Sequence, residues 1–240
     1  MFILFFDDRY FKWVPLLIES ITINEPKERI CAYGIGLARS QIRELCSYPC
    51  VDYIPSVIRE TGAILSKLPK RDEKAVRIVQ RTASFFLESF YRFPKEKLYM
   101  LLDVDSLVAN PLTKVKRKMA DYDIGMSFGN RRAKAGFIVV NPTEASIGFI
   151  KDWNFLLMEG PCHWHKNQDT LFQLYQEYKN EMKFLKFSVS YRDPSSKNRS
   201  HIWAAYKTEH GSKEERHILY EKKLKKMRFS QWLKKVSDRT

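Results

Sequence analysis

Residues 97–112 read "KLYMLLDVDSLVANPL". The run 98–102 is short, apolar and bounded by charge before and Asn110-Pro111 after, the pattern of a buried strand. Asp103 and Asp105 follow, one apolar residue apart, where that strand should end. A carboxylate in a core is costly unless it is paired or bound to a metal. An extended chain sends alternate side chains the same way, so Asp103 and Asp105 are expected to share a face, with Val104 turned to the other. Two neighbouring carboxylates repel unless a cation lies between them. Mg²⁺ or Mn²⁺ takes oxygen ligands and is commonly held by one or two carboxylates plus substrate phosphates. A surface turn or a cap is the ordinary use of such a pair; the apolar strand in front favours a metal site at a sheet edge.

Working outward, strands are expected at 2–6, 29–34, 51–54, 124–128 and 136–140, and an extended segment at 184–189. Helices are expected after Asp7-Asp8-Arg9-Tyr10 through Ile21, from a cap at Ser40, over 72–91, after Asn141-Pro142 to Met158, and over 168–180. Ala75, Ile78, Val79, Phe85, Phe86 and Phe90 recur at helical spacing. Strands alternating with helices predict an α/β fold, a mostly parallel central sheet with helices on both faces. Ligands of such sheets bind beyond the carboxyl ends of the strands, where both Asp7 and Asp103 would lie.

The chain has 240 residues, 44% hydrophobic and 14% aromatic, enough for one domain with a modest appendage. The apolar start stops at Asp7-Asp8, and no later run approaches the roughly 20 residues of a membrane span, so a cytoplasmic protein is expected. Four irregularly spaced cysteines (Cys31, Cys46, Cys50, Cys162) predict free, mostly buried thiols rather than a disulfide framework. Cys162-His163-Trp164-His165 matches no closed zinc spacing. A net charge of +14 points to an anionic partner: nucleic acid, an acidic membrane surface or a phosphorylated substrate. Residues 207–240 hold eleven Lys or Arg against five Asp or Glu. Leu219, Leu224, Met227, Trp232 and Val236 punctuate this tail at helical intervals, so a unit of residues 216–240 reads as a basic amphipathic helix. Two placements stay open for it: flat on an anionic membrane, peripheral on the inner surface, or docked on its own domain with a solvated basic face.

Several segments, in order, resemble the nucleotide-sugar glycosyltransferases of the GT-A fold, especially glycosyltransferase family 8. "LYMLLDVDSLVANPL" is similar to that family's Asp-X-Asp segment and "ILFFDDRY" to its opening strand and turn. "VQRTASF" resembles its arginine-bearing helix, "KAGFIVVNP" its Asn-Ala-Gly strand, "NQDTLF" its Asp-Gln-Asp segment, and "HGSK" a shortened His…Gly…Lys motif. The resemblance implies a transferase domain over residues 1–215 with a GT-A (Rossmann-like) sheet. It implies Mn²⁺ or Mg²⁺ held by Asp103, Asp105 and His210. Donor binding falls to Asp7, Tyr10, Arg81, Asp103, Val104 and Lys213, with Gln168 or Asp169 near the reacting face and retention of anomeric configuration. The chain departs from the pattern at Lys134, where the family has Asn, at Asn167, where it has an acid, and at His210-Gly211, which the family separates. His201 is therefore a second candidate for the third metal ligand. Trp164 is the best placed tryptophan for an acceptor wall, Trp153 and Trp203 being expected in core or pocket wall.

The acceptor expected from the charge is anionic, a lipid-linked saccharide at a membrane or modified bases in DNA, with the Arg131-Arg132 loop contributing. A nucleotidyltransferase is the second enzyme class, but the glycine-rich phosphate loop it favours is not evident early in the chain. A basic nucleic-acid-binding module with a structural Asp-X-Asp is the non-enzymatic alternative.

Overall fold

The computed structural model describes residues 1–56, 76–128, 132–160, 163, 165–188, 192–193, 200–204 and 212–237. A seven-stranded sheet forms the centre. Its strands are β1 (Phe2–Asp7), β2 (Ile30–Ile35), β3 (Val51–Ser56), β4 (Tyr99–Leu102), β6 (Ile124–Phe128), β7 (Ala133–Val140) and β8 (Phe184–Phe187). A three-stranded sheet holds β5 (Leu107–Val108), β9 (Arg192–Asp193) and β10 (Ile202–Trp203). The central order is β3-β2-β1-β4-β7-β6-β8. β1 pairs in parallel with β2 and β4, β2 with β3 and β6 with β8, while β7 runs antiparallel to both β4 and β6.

The sequence of β1, Phe-Ile-Leu-Phe-Phe-Asp, explains its central place. A strand covered on both faces reads as a continuous apolar run rather than an alternation. Phe2, Leu4 and Phe6 enter one core and Ile3 and Phe5 the other. The first core is covered by α1 (Val14–Asn24) through Val14, Leu17 and Ile18, by Leu45 of α2 (Arg39–Cys46), and by Val115 and Met119 of α4 (Thr113–Met119). The second is covered by Phe85 and Phe86 of α3 (Thr82–Arg92), Phe149 and Trp153 of α5 (Glu144–Met158), and Leu171 and Leu174 of α6 (Lys166–Tyr178). The expected sheet with helices on both faces is the observed one.

Local differences have identifiable causes. The chain after β1 first makes a 3-10 turn over Asp8–Trp13, capped by Asp7, before α1 begins. The second helix starts at Arg39 with Ala38 as its N-cap, because the Gln41 amide oxygen accepts the Ala38 N–H at 2.8 Å; Ser40 lies inside the helix. Residues 76–80 are helical and a turn at Arg81 separates them from α3. Of the thiols, Cys31 is buried, Cys50 half-buried and Cys46 exposed, so burial of most of them does not hold among the described cysteines.

Among the described residues the basic tail forms one helix, α7 (Lys213–Ser237). It docks on the domain: Tyr220 packs with Trp13, Leu107 and Trp203, and Leu224 is also buried. Arg228 pairs with Glu19 of α1, and Gln231 donates to the Ile23 carbonyl at 3.4 Å. No helix of the described residues is long and apolar enough to cross a membrane.

Candidate active site

Strand order reverses between β1 and β4: β2 and β3 lie to one side, β7, β6 and β8 to the other. A crevice outside the carboxyl ends forms at such a point. Here it is a cavity of about 430 Å³ lined by Phe6, Asp7, Arg9, Tyr10, Ile78, Val79, Asp103, Val104, Asp105, Lys134, Gly136 and Gln168, with Phe5, Ala135 and Asn167. Because β7 is antiparallel, its beginning, Lys134–Gly136, reaches the same edge as the ends of β1 and β4. Segments separated by as much as the whole chain from Asp7 to Gln168 thus share one cavity.

β4 stops at Leu102, so the two acids sit in a turn rather than on an extended strand, and strict alternation is not what aims them. The Asp103 N–H donates to the Gly136 carbonyl at 3.0 Å, continuing the β4–β7 ladder by one rung. The Ser106 hydroxyl donates to the Asp103 carbonyl at 2.5 Å. Val104 is buried against the first core and also borders the cavity. Asp105 remains partly exposed.

Asp7 is fully buried, and its carboxylate accepts from the Arg9 N–H at 3.1 Å and from the Arg9 guanidinium at 2.6–2.7 Å. It caps the 3-10 turn while lining the cavity. Tyr10 is half-buried; burial and, next, the negative charge of Asp105 push its phenol up from the ordinary range. Gln168 lines the cavity from the first turn of α6. Its neighbour Asp169 is not among the lining residues and pairs with Arg132 at 2.8 Å, with the His163 ring 4.0 Å away. Arg81 is likewise outside the lining, at the N-cap of α3 with its guanidinium 5.4 Å from the Phe85 ring. His201 lies past β5, its carbonyl accepting from Ala109 at 2.8 Å, and does not line the cavity. Lys213 begins α7; its side chain, His210, Arg131, Cys162 and Trp164 lie outside the described residues. Trp153 is buried in the second core and Trp203 beside Tyr220.

Hard carboxylate oxygens at a cavity mouth are a suitable donor set for Mg²⁺ or Mn²⁺. Among the described residues no group of three His, Cys, Asp or Glu gathers as a metal-ligand set.

Three contributors carried no sequence signal of their own. Arg9 is an ordinary turn residue until the fold turns it back onto Asp7. Tyr220 and Arg216 lie in the tail. The Tyr220 hydroxyl donates to the Asp105 carbonyl, and the Arg216 guanidinium stands 3.8 Å from the Asp105 carboxylate and 5.9 Å from the Trp13 ring. Asn167, a departure from the family pattern, is buried with its amide oxygen lacking a hydrogen-bond partner among the described residues. Such an atom costs free energy unless something donates to it.

No protein-family model and no curated protein matches the chain. Solved structures do. A galactosyltransferase, LgtC, crystallised with donor and acceptor sugar analogues, superposes with a TM-score of 0.57 at 12% identity, over 96% of each chain. The bifunctional glycosyltransferase WbbM gives 0.62 at 10% identity over 93% of this chain and 49% of its own. The glycosyltransferase GlyE of Streptococcus pneumoniae TIGR4 gives 0.58 at 13% over 98% and 63%. The chain therefore spans about half of WbbM and under two thirds of GlyE, but nearly all of LgtC. A parallel sheet that reverses order at β1 and β4, an antiparallel β7 and a cavity at that junction are the frame of the GT-A glycosyltransferase fold, and this chain has it.

Proposed function

We propose that the protein is a metal-dependent glycosyltransferase that moves a sugar from a nucleotide-diphosphate sugar to an anionic acceptor, with retention of configuration. The observation that carries this reading is the meeting of Asp7, Tyr10, Asp103, Asp105, Lys134 and Gln168 around one cavity. Residues 1–215 would hold the chemistry and residues 216–240 the basic tail, working peripherally at the cytoplasmic face of a membrane.

Asp103 and Asp105, with His210, would hold Mn²⁺ or Mg²⁺, which when bound neutralises charge on the departing nucleoside diphosphate. Tyr10 and Val104 supply an apolar wall, and the Tyr10 phenol, neutral near pH 7 like any tyrosine, is suited to a base ring and a ribose hydroxyl. Asp7, held by Arg9, presents a fixed acceptor for nucleotide N–H or O–H groups. Lys134 brings a cation where the family has an amide, and Lys213 and Arg81 would add positive charge against the phosphates. Gln168 lines the cavity directly, and Asp169, next to it in the chain, pairs with Arg132; either would stand near the reacting face.

Donor hydrolysis with and without EDTA tests the metal role, full activity in chelator removing it. Asp105→Ala should abolish turnover with the fold intact, and a fully active variant would sink the assignment. A thermal-shift screen of nucleotide sugars with Mn²⁺ identifies the donor; no response to any of them would favour a nucleic-acid-binding role.

A further inference from the structure

Helix α7 carries apolar residues on two opposite sides. One side is docked: Tyr220 and Leu224 are buried against the domain. At about 100° per residue, Phe229 projects about 180° away from Tyr220, with Ile218, Trp232 and Leu233 within roughly 60° of Phe229. These four are 49%, 60% (Phe229), 57% and 47% exposed, and the Phe229 and Trp232 rings stack at 5.9 Å, so Phe229, Trp232 and the adjacent Leu233 form a patch, with Ile218 further along the same side. Lys222, Lys225 and Lys226 are exposed on the same side. Between residues 222 and 235 there are seven Lys or Arg and no acid.

A cleft of about 760 Å³ adjoins the patch, with Lys223, Lys225 and Lys226 on one wall and Asn24 and Asn110 opposite. Burial, and next the charge of Lys226, push the Lys223 ammonium down. An anion in the cleft would offset the repulsion between Lys223 and Lys226.

We propose that this outward side of α7 docks on an anionic lipid bilayer, with Phe229, Trp232 and Leu233 in the headgroup–acyl boundary, the lysines at the phosphate level and a headgroup in the cleft. Apolar residues flanked by cations on one side of a helix match an anionic interface in both hydrophobic burial and charge. A second copy fits poorly, because facing patches would oppose their lysines. The two placements of the tail that the sequence leaves open are compatible, since docking on the domain uses one side and lipid the other. The inference rests on the transferase reading only in that a membrane seat presents the cavity to a lipid-linked acceptor.

The test is flotation of the full chain with vesicles of phosphatidylcholine alone and of phosphatidylcholine mixed with phosphatidylglycerol, over a salt series, with tryptophan emission recorded. Binding to the mixed vesicles, a blue shift, and weakening with salt are expected. F229S/W232S/L233S should weaken partitioning by at least about tenfold. Lys222, Lys225 and Lys226→Ser should weaken it by about a hundredfold. All six side chains are exposed, so circular dichroism and the melting temperature should match the parent. Equal binding to neutral vesicles, no binding to either, or an unaffected triple apolar variant overturns the proposal. So does a dimer in light scattering that F229S/W232S/L233S dissociates. Duplex DNA binding that survives the apolar triple, without lipid binding, overturns it in favour of nucleic acid. Nucleotide-sugar binding by calorimetry is read separately, so failure here leaves the donor site standing, and the reverse.

Discussion

Replacing Tyr220 by Phe keeps the ring between Trp13 and Trp203, at centroid distances of 5.0 and 4.7 Å, and removes only the hydroxyl that meets the Asp105 carbonyl. The net loss of one such hydrogen bond is about 1 kcal/mol, which for a domain of this size lowers the melting temperature by about 2–4 °C. Tyr220→Ala removes the buried ring as well, at about 3–5 kcal/mol, or a fall of about 6–20 °C. The functional consequence is separate from stability. Asp105 sits in a turn whose carbonyl is tied by Tyr220, so Tyr220→Phe frees the peptide that aims the carboxylate. Groups that orient a metal ligand typically change affinity by about 10–100-fold; with only the backbone of Asp105 released, the lower end is expected, a roughly tenfold weaker Mn²⁺ affinity. Calorimetric titration of Mn²⁺ in the presence of nucleoside diphosphate, alongside melting curves, reads both effects. If Tyr220→Phe melts lower but binds Mn²⁺ as the parent does, the helix is a structural brace and the positioning argument fails.

Asn167→Ala should weaken donor affinity by roughly tenfold if a sugar hydroxyl donates to the buried amide oxygen; an unchanged affinity by calorimetry would show that no donor group reaches it. Gly125→Ala should destabilise the sheet by about 1–3 kcal/mol, because a Cβ there would meet Met119 Sδ at 2.7 Å and the Phe187 ring; thermal melting reads it. The Cys31 thiol is pushed up to about 11 by burial, so at pH 8 Ellman's reagent should label the exposed Cys46 first and Cys31 only in denaturant. The Glu28 carboxyl is raised by burial but lowered more by the Met1 ammonium and Lys116, ending below its ordinary 4.5. A carboxyl depressed in the folded state contributes stability above its unfolded value that is lost as pH falls through the folded one. Glu28→Gln should therefore flatten the decline of melting temperature below about pH 4.5, and a decline as steep as the parent's would exclude Glu28 as its source.

The fold was legible where burial acts on both faces of a strand. The run 98–102 and Phe-Ile-Leu-Phe-Phe of β1 are unmistakable because a parallel sheet demands unbroken apolar stretches. β6 was expected at 124–128 and observed as Ile124–Phe128. The short pieces were not legible. β5 and β10 have two residues each, too few for a period, and are made by pairing with each other. α4 reads Thr-Lys-Val-Lys-Arg-Lys-Met, and only Val115 and Met119 mark its buried side. The site shows the same division. Asp103 and Asp105 announce themselves by their position after a strand, and Asp7 by symmetry with it. The role of Lys134 at the cavity depends on β7 running backwards, which no local pattern encodes. Tyr220 and Arg216 look like any residues of a basic helix until tertiary contact turns them to Asp105.

The turn that carries the two acids is held at one end by the sheet, through Gly136, and at the other by Tyr220, which follows Asp105 by 115 residues. A chain emerging from the ribosome can close the β4–β7 ladder long before the second tie exists. Domains tend to fold from the N-terminal side during synthesis, so a folded sheet with an untied acidic turn is an expected nascent state. On the metal-dependent reading proposed above, competence to grip a cation at full strength would then arrive late, as one of the last events of assembly.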